Sequence, residues 1–219
     1  MGMKKTLKEI GLAALIGAAS LIPSTAQALS GSIRYIASET SNESKKTYGS
    51  YPELQMFYTL PAEVKGFTFA DFFKKSGYLA KSSLEREIQY GIGPRVQLTH
   101  INQPLTQESL GVSAKTKFLP KGVSAKAYFM PFWRDNEFDK VQKKMLLGGS
   151  FSLDLPLELK LLAWGEANTQ AGKWSYGELE LGRRFGDIEL SYNPALQPDK
   201  NYLPRLEHRA CVRVHFGGK

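Results

Sequence analysis

Apolar and polar residues alternate one by one through most of the chain from Gly31 onward. The last run is the clearest. Leu206, His208, Ala210, Val212, Val214 and Phe216 share one face, and Glu207, Arg209, Cys211, Arg213 and His215 share the other. A period of two puts successive side chains on opposite faces of a β-strand, so one face meets an apolar neighbour and the other a polar one. The pattern recurs upstream. Leu157, Leu159, Leu161 and Ala163 oppose Glu158, Lys160, Leu162 and Trp164, while Leu179, Leu181 and Phe185 oppose Glu178, Glu180, Gly182 and Arg184. Val123, Ala125, Ala127 and Phe129 oppose Ser124, Lys126, Tyr128 and Met130; Val112, Ala114 and Phe118 oppose Gly111, Ser113, Lys115 and Lys117. Ile88, Tyr90, Ile92, Val96 and Leu98 oppose Glu85, Glu87, Gln89, Gly91, Gly93, Arg95 and Gln97.

The links between runs come in two lengths. Leu119-Pro120-Lys121-Gly122, Leu155-Pro156 and Gly186-Asp187 read as tight turns, whereas Arg134 to Lys144, Asn168 to Trp174 and Leu196 to Arg205 are longer and polar. Short turns at one end and longer loops at the other describe the meander of a transmembrane barrel. Strands over 31–38, 51–60, 66–73, 84–92, 94–100, 110–118, 123–133, 145–154, 157–167, 175–185, 188–195 and 206–216 give twelve, an even number with both termini at one end. Two segments bear on the count. Phe69, Phe72 and Phe73 share helical spacing, which makes 70–75 a candidate short amphipathic helix. The alternation also runs unbroken through Gly91-Ile92-Gly93-Pro94, so 84–100 reads equally as one strand. Dropping 66–73 and fusing that pair gives ten; twelve is favoured. Phe118, Trp133, Trp174, Tyr176, Phe185, Tyr192 and Phe216 lie near strand ends, where two interfacial girdles are expected, although each also suits ordinary packing.

Alternation alone does not say which face looks inward. A lipocalin-type barrel keeps apolar residues inside, and a membrane barrel reverses this. The polar face is rich in full charges, and the strands approach the 9–11 residues that a tilted membrane strand requires. Both favour the reversal. Arg86 and Arg183 would then face lipid, but each is close to a strand end, where a long cationic side chain reaches the headgroups.

The N-terminus supports the same destination. Lys4, Lys5 and Lys8 precede an apolar run from Ile10 to Ile22, Pro23 and Ser24 break it, and Ala26-Gln27-Ala28 supplies a small-residue cleavage site. That is the layout of a secretory signal peptide, expected over 1–28 and leaving 29–219 as one barrel domain. The run is short against the roughly 20 residues of a membrane-spanning helix. Cleavage lowers the formal charge from +8 to +6. That excess suits an acidic membrane surface or an anionic solute, and export makes nucleic acid the least suitable partner. Cys211 is the single cysteine, so no intramolecular disulfide is available.

The C-terminal strand resembles the assembly signal of bacterial outer-membrane barrels, a polar–glycine–hydrophobic pattern ending in an aromatic. Arg209, Val214 and Phe216 fit it; Cys211 stands where glycine is usual, and Gly217-Gly218-Lys219 follow the aromatic. The resemblance implies a porin-like barrel inserted by the outer-membrane assembly machinery. A second resemblance covers Glu53 to Leu98. Gly66-Phe67-Thr68-Phe69-Ala70-Asp71-Phe72-Phe73 and Glu87 through Leu98 are similar to the early strands of nucleoside-specific channel proteins. That family forms twelve-stranded barrels with narrow pores lined by aromatics and charges, which implies a nucleoside-like solute.

Catalytic chemistry finds little support. A hydrolase needs a nucleophile with a histidine base in reach. His208 falls on the apolar face near a rim, His215 points inward beside Arg213, and His100 opens a loop with no serine at a suggestive spacing. No metal-ligand spacing is present, and no cofactor is expected. The inward charges carry the functional expectation: Glu85, Glu87, Arg95, Lys115, Lys117, Lys126, Glu158, Lys160, Glu178, Glu180, Arg184, Glu189, Glu207, Arg209 and Arg213 line a pore. Rings of such charge set selectivity in a water-filled channel. The Lys/Arg-rich strands around 111–126 and 209–213 are set against the Glu-rich strand around 178–180, which suggests a transverse field across a constriction. The expected function is a narrow passive channel for small polar or anionic solutes. A non-conducting structural or adhesive barrel, a barrel hydrolase or acyltransferase, and a soluble ligand-binding barrel are the alternatives.

Overall fold

The computed structural model describes residues 28–42, 45–73, 77–101, 105–135, 140–142, 145–168, 173–198 and 204–217. The signal-peptide expectation over 1–28 therefore lies almost wholly outside the described residues. The strands are β1 (Ala28–Asn42), β2 (Lys45–Leu60), β3 (Val64–Phe73), β4 (Gly77–Glu85), β5 (Ile92–Ile101), β6 (Leu105–Lys115) and β7 (Val123–Asp135). They continue as β8 (Lys140–Gln142), β9 (Leu146–Asp154), β10 (Leu159–Asn168), β11 (Lys173–Phe185), β12 (Ile188–Tyr192), β13 (Ala195–Pro198) and β14 (Pro204–Gly217). Pairing is antiparallel throughout and follows chain order, and β1 pairs with β14 to close the ring.

Four of these strands are fragments that make up two longer staves. β8 and β9 both pair with β7. β12 and β13 both lie between β11 and β14, interrupted at Asn193-Pro194 because proline has no N–H for the ladder. Hydrogen bonding survives the interruption. The Asn193 N–H donates to Arg209 O at 2.8 Å, and the Leu179 N–H donates to Pro194 O at 3.0 Å. Counted as staves, the wall has twelve.

The count of twelve agrees with the alternation, but one strand lies elsewhere than expected. The fourth strand is 77–85, and 86–91 is a hairpin connection. Tyr90 (φ 53°) and Gly91 (φ 84°) form its two-residue turn, with the Ile92 N–H donating to Gln89 O at 2.9 Å. Both residues hold the left-handed conformation that a tight hairpin demands. A turn of two residues keeps the sequence alternation in phase, so 84–100 looked continuous. Val64–Phe73 is a full strand and not a helix, with Phe69 and Phe73 facing the lumen.

Both ends of the described chain and the five turns that lie wholly within the described residues share one end, called here the short-turn end. Two of those turns repeat a motif, Leu60-Pro61-Ala62-Glu63 and Leu155-Pro156-Leu157-Glu158, and in each the last two residues have φ near +60°. At the other end the strands run further than expected. They extend through Asp135, resume at Lys173 and continue to Pro198, so the longer links expected there are trimmed to short segments outside the described residues.

The two faces divide as the charges demand. Leu181 and Val212 are 41% and 47% exposed on the outside, whereas their strand neighbours Glu180 and Arg213 are 3% and 4% exposed within. Leu98, Leu110, Val112, Phe129, Leu147 and Leu190 extend the apolar exterior. Arg183 is also outside, 5.0 Å over the Phe185 ring near the short-turn rim. Tyr192 and His208 stack on the exterior, joined by a 2.5 Å hydrogen bond. The side chains of Trp133 and Trp174 lie outside the described residues. Tyr176 does not join a girdle: it shares the inward parity of Glu178 and Glu180 and lines the lumen.

If the exterior meets lipid, depth decides the cost of a charge there. Val212→Arg, near the middle of β14, should lower folding stability in liposomes by about 2–4 kcal/mol, and Phe118→Arg at the rim by about 0–1 kcal/mol. Urea titration followed by heat-modifiable gel mobility reads the difference.

Candidate functional site

Alternation sends a charged residue inward at nearly every second position, and cross-strand register decides which charges meet. Arg34 on β1 lies directly opposite Glu53 on β2 and also directly opposite Arg213 on β14. Like charges in that relation repel. Glu180 on β11 resolves the conflict by reaching past β12 to both guanidinium groups. Arg34 Nη1 donates to its Oε2 at 3.2 Å, and Arg213 Nη2 donates to both of its oxygens at 2.8 and 2.9 Å. Arg34 also donates to Glu53 at 2.8 Å and is 1% exposed.

The cluster spreads along the seam. Arg213 donates to Glu189, which also accepts at 2.8 Å from His215 Nε2. Arg209 holds Glu207 at 2.8 Å and the Tyr176 hydroxyl at 2.8 Å, and Tyr176 donates to Glu178. Glu53, Glu178, Glu180, Glu189 and Glu207 each have a basic or hydroxylic partner, as buried charge requires.

A second network lies across the barrel. Lys81 on β4 pairs with Glu166 on β10, almost opposite in the ring, so the pair forms a bar across the lumen. Glu166 also accepts from the Tyr128 hydroxyl at 2.5 Å and from Gln97. Arg95 donates to Glu85 at 2.9 Å and stacks 4.3 Å over the Tyr128 ring, and Lys126 pairs with the same Glu85. This network occupies the β4–β10 side of the lumen. The space left is a cavity of about 1230 Å³. Its walls carry both networks together with Phe57, Phe67, Phe69, Trp164 and Tyr176.

Of the residues expected to line a pore, Glu85, Arg95, Lys126, Glu178, Glu180, Glu207, Arg209 and Arg213 face this cavity, and Glu189 stands behind Arg213. Six others lie at the short-turn mouth instead. Glu87 pairs with Lys117 in the connections beyond β4 and β6, and Lys115 ends β6 exposed. Glu158 is part of a turn, Lys160 is 4.0 Å from Asp154, and Arg184 donates to Gly186 O. The strands end earlier than the alternation does, which leaves these charges at the rim. The transverse field is also corrected. Arg209 and Arg213 touch Glu178 and Glu180 through ion pairs of 3.6 and 2.8 Å, so the opposite charges cancel locally.

Alternation puts Gln97 and Tyr128 on the inner face without marking them as lining residues, and Arg34, Glu53, Lys81 and Glu166 join the site only in the structure. Arg34 alternates with Ile33 and Tyr35, and that signal was available. Lys81 lies outside the strand expected at 84–92, whereas Glu166 shares the inward parity of Lys160 and Trp164, so alternation gives its facing but not its partner.

No family model and no curated protein matches the sequence. Solved structures do match. The KdgM porin in complex with disordered oligogalacturonate has a TM-score of 0.57 at 10% identity, covering 84% of this chain and 99% of that one. The KdgM porin without that qualification gives 0.55 at 9% identity, with the same coverages. At such identity the likeness is one of fold, a closed porin-like barrel of twelve strands. The nucleoside-channel resemblance over Glu53 to Leu98 is not shown by these matches.

Glu180→Ala would leave Arg34 and Arg213 facing each other without their shared counter-charge. Removing one partner of a buried pair costs about 3–5 kcal/mol, so the variant should unfold at markedly lower urea than the parent. Glu180→Met combined with Arg34→Met should recover part of the loss in the same titration.

Proposed function

We propose that the chain is an outer-membrane barrel that passes small polar solutes through a narrow, charge-balanced conduit. The observation that carries this reading is the extent of the cavity. Its lining includes Leu29, Ser30, Thr59 and Lys65 near the short-turn end, and Phe73, Gln107, Gln197 and Arg205 near the other. One continuous space thus runs most of the length of the strands. Its walls carry charged side chains of both signs beside a run of aromatic rings, while the exterior is apolar, and inward charge with outward apolar surface is the division a water-filled pore in lipid requires.

The lining also argues against the anionic solute suggested by the net charge. Among the described residues, Lys65, Lys81, Arg95, Lys126, Arg205, Arg209 and Arg213 face the cavity, balanced by Glu53, Asp71, Glu85, Glu166, Glu178, Glu180 and Glu207. Most of these are already paired. Little field is left over to attract an ion of either sign, so uncharged or zwitterionic solutes suit the conduit. Delivery would use the signal peptide, with membrane lipid and the assembly machinery as partners. Intact-mass measurement of protein taken from the membrane should then give a chain beginning at Leu29.

Planar bilayers test the reading directly. The purified chain should give stepwise currents whose reversal potential in a KCl gradient stays near zero. Lys126→Glu removes a lining cation and adds an anion, and should move the reversal potential toward cation selectivity. Insertion without any current would sink the channel and favour a structural barrel.

A further inference from the structure

Strand β3 has four successive inward positions, 67, 69, 71 and 73, and three of them are phenylalanine. At about 3.3 Å per residue they span roughly 20 Å along the lumen. Phe67 is joined at one end by Phe57, with ring centroids 4.9 Å apart, and by Phe69 at 6.1 Å. Tyr51 meets Phe73 at 5.0 Å toward the other end. These rings do not fill a core. They line the open cavity, and Phe57 is 50% exposed in spite of facing inward. Apolar surface left against water inside a polar conduit is unfavourable unless a passenger covers it.

A second feature belongs to the same row. Asp71, between Phe69 and Phe73, is 9% exposed, and its Oδ1 has no hydrogen-bond partner among the described residues. A buried acceptor without a donor carries a desolvation cost that an incoming hydroxyl would relieve.

We infer that the Phe57–Phe67–Phe69–Phe73 row is a stacking track for a neutral oligosaccharide, with Asp71 accepting a hydrogen bond from one of its hydroxyls; this rests on the channel reading. A pyranose ring has apolar C–H faces and a rim of hydroxyls, so it stacks on an aromatic face while its edge reaches polar groups. The paired charges opposite offer donors and acceptors without a net field, which suits an uncharged chain better than an acidic one. Several rings in file serve the successive units of an oligomer, whereas a nucleoside would cover only one.

The test is current blockade of the full chain in planar bilayers, using maltohexaose and cellohexaose as probes. At least one should interrupt the current in a concentration-dependent manner. Phe67→Ala with Phe69→Ala should raise the half-blocking concentration about tenfold, the change that ~1.4 kcal/mol makes. Phe67→Tyr should keep the block, and Leu181→Ala on the exterior should leave it unaltered. Heat-modifiable gel mobility verifies that each variant has folded. Stronger block by trigalacturonate or by adenosine, no block by either neutral oligomer, or block indifferent to the Phe→Ala pair would each overturn the track. If the protein inserts but conducts nothing, tryptophan emission of the detergent-solubilised chain is titrated with the same oligomers. A response lost in the Phe→Ala pair would keep the track and discard the channel, and no response would discard both.

Discussion

Closing a sheet on itself requires its first and last strands to meet, and here they meet across two arginines. Arg34 and Arg213 are direct cross-strand partners. Glu180 comes from neither strand of the seam, yet it bonds both guanidinium groups. The ring closes because a third stave lends its carboxylate. Arg34 and Glu180 are 146 residues apart in the chain, so this contact forms only when most of the wall is in place. Loop-closure entropy makes such long-range contacts slow to form.

The same requirement shapes the lumen. Charges that face inward in a closed wall must find partners or water, and most of those described find partners. On the seam side they pack into a solid layer. On the far side the Lys81–Glu166 bar and the Arg95–Glu85–Lys126 group take up space that an open porin would leave to solvent. The cavity is what these two networks leave between them. Its shape is thus a by-product of satisfying charge in a confined volume, and its lack of net field follows from the same pairing.

Much of this was legible in the alternation of apolar and polar residues. That pattern decides which side chains face each way, and it placed Glu178, Glu180, Arg209 and Arg213 on the inner face. It failed where geometry interrupts periodicity without disturbing phase. The Tyr90-Gly91 turn consumes two residues, so the pattern passed through it unmarked and the 77–85 strand was missed, along with Lys81. The Phe69, Phe72 and Phe73 spacing fitted a helix as well as a strand, and only pairing with β2 and β4 separates the two. Partner choice was not legible at all. That Arg209 would neutralise Glu178 and not oppose it depends on ring order, which local sequence does not encode.

The lumen is lopsided, and that has an evolutionary consequence. Substitutions around Arg34, Glu180 and Arg213 endanger assembly itself, so drift there is confined to changes that preserve charge and reach. The inward positions of β3 carry no such duty. Were the proposed track to bind a solute, rewriting that single stave would change what it holds while the seam stayed untouched, and specificity would diverge faster than architecture.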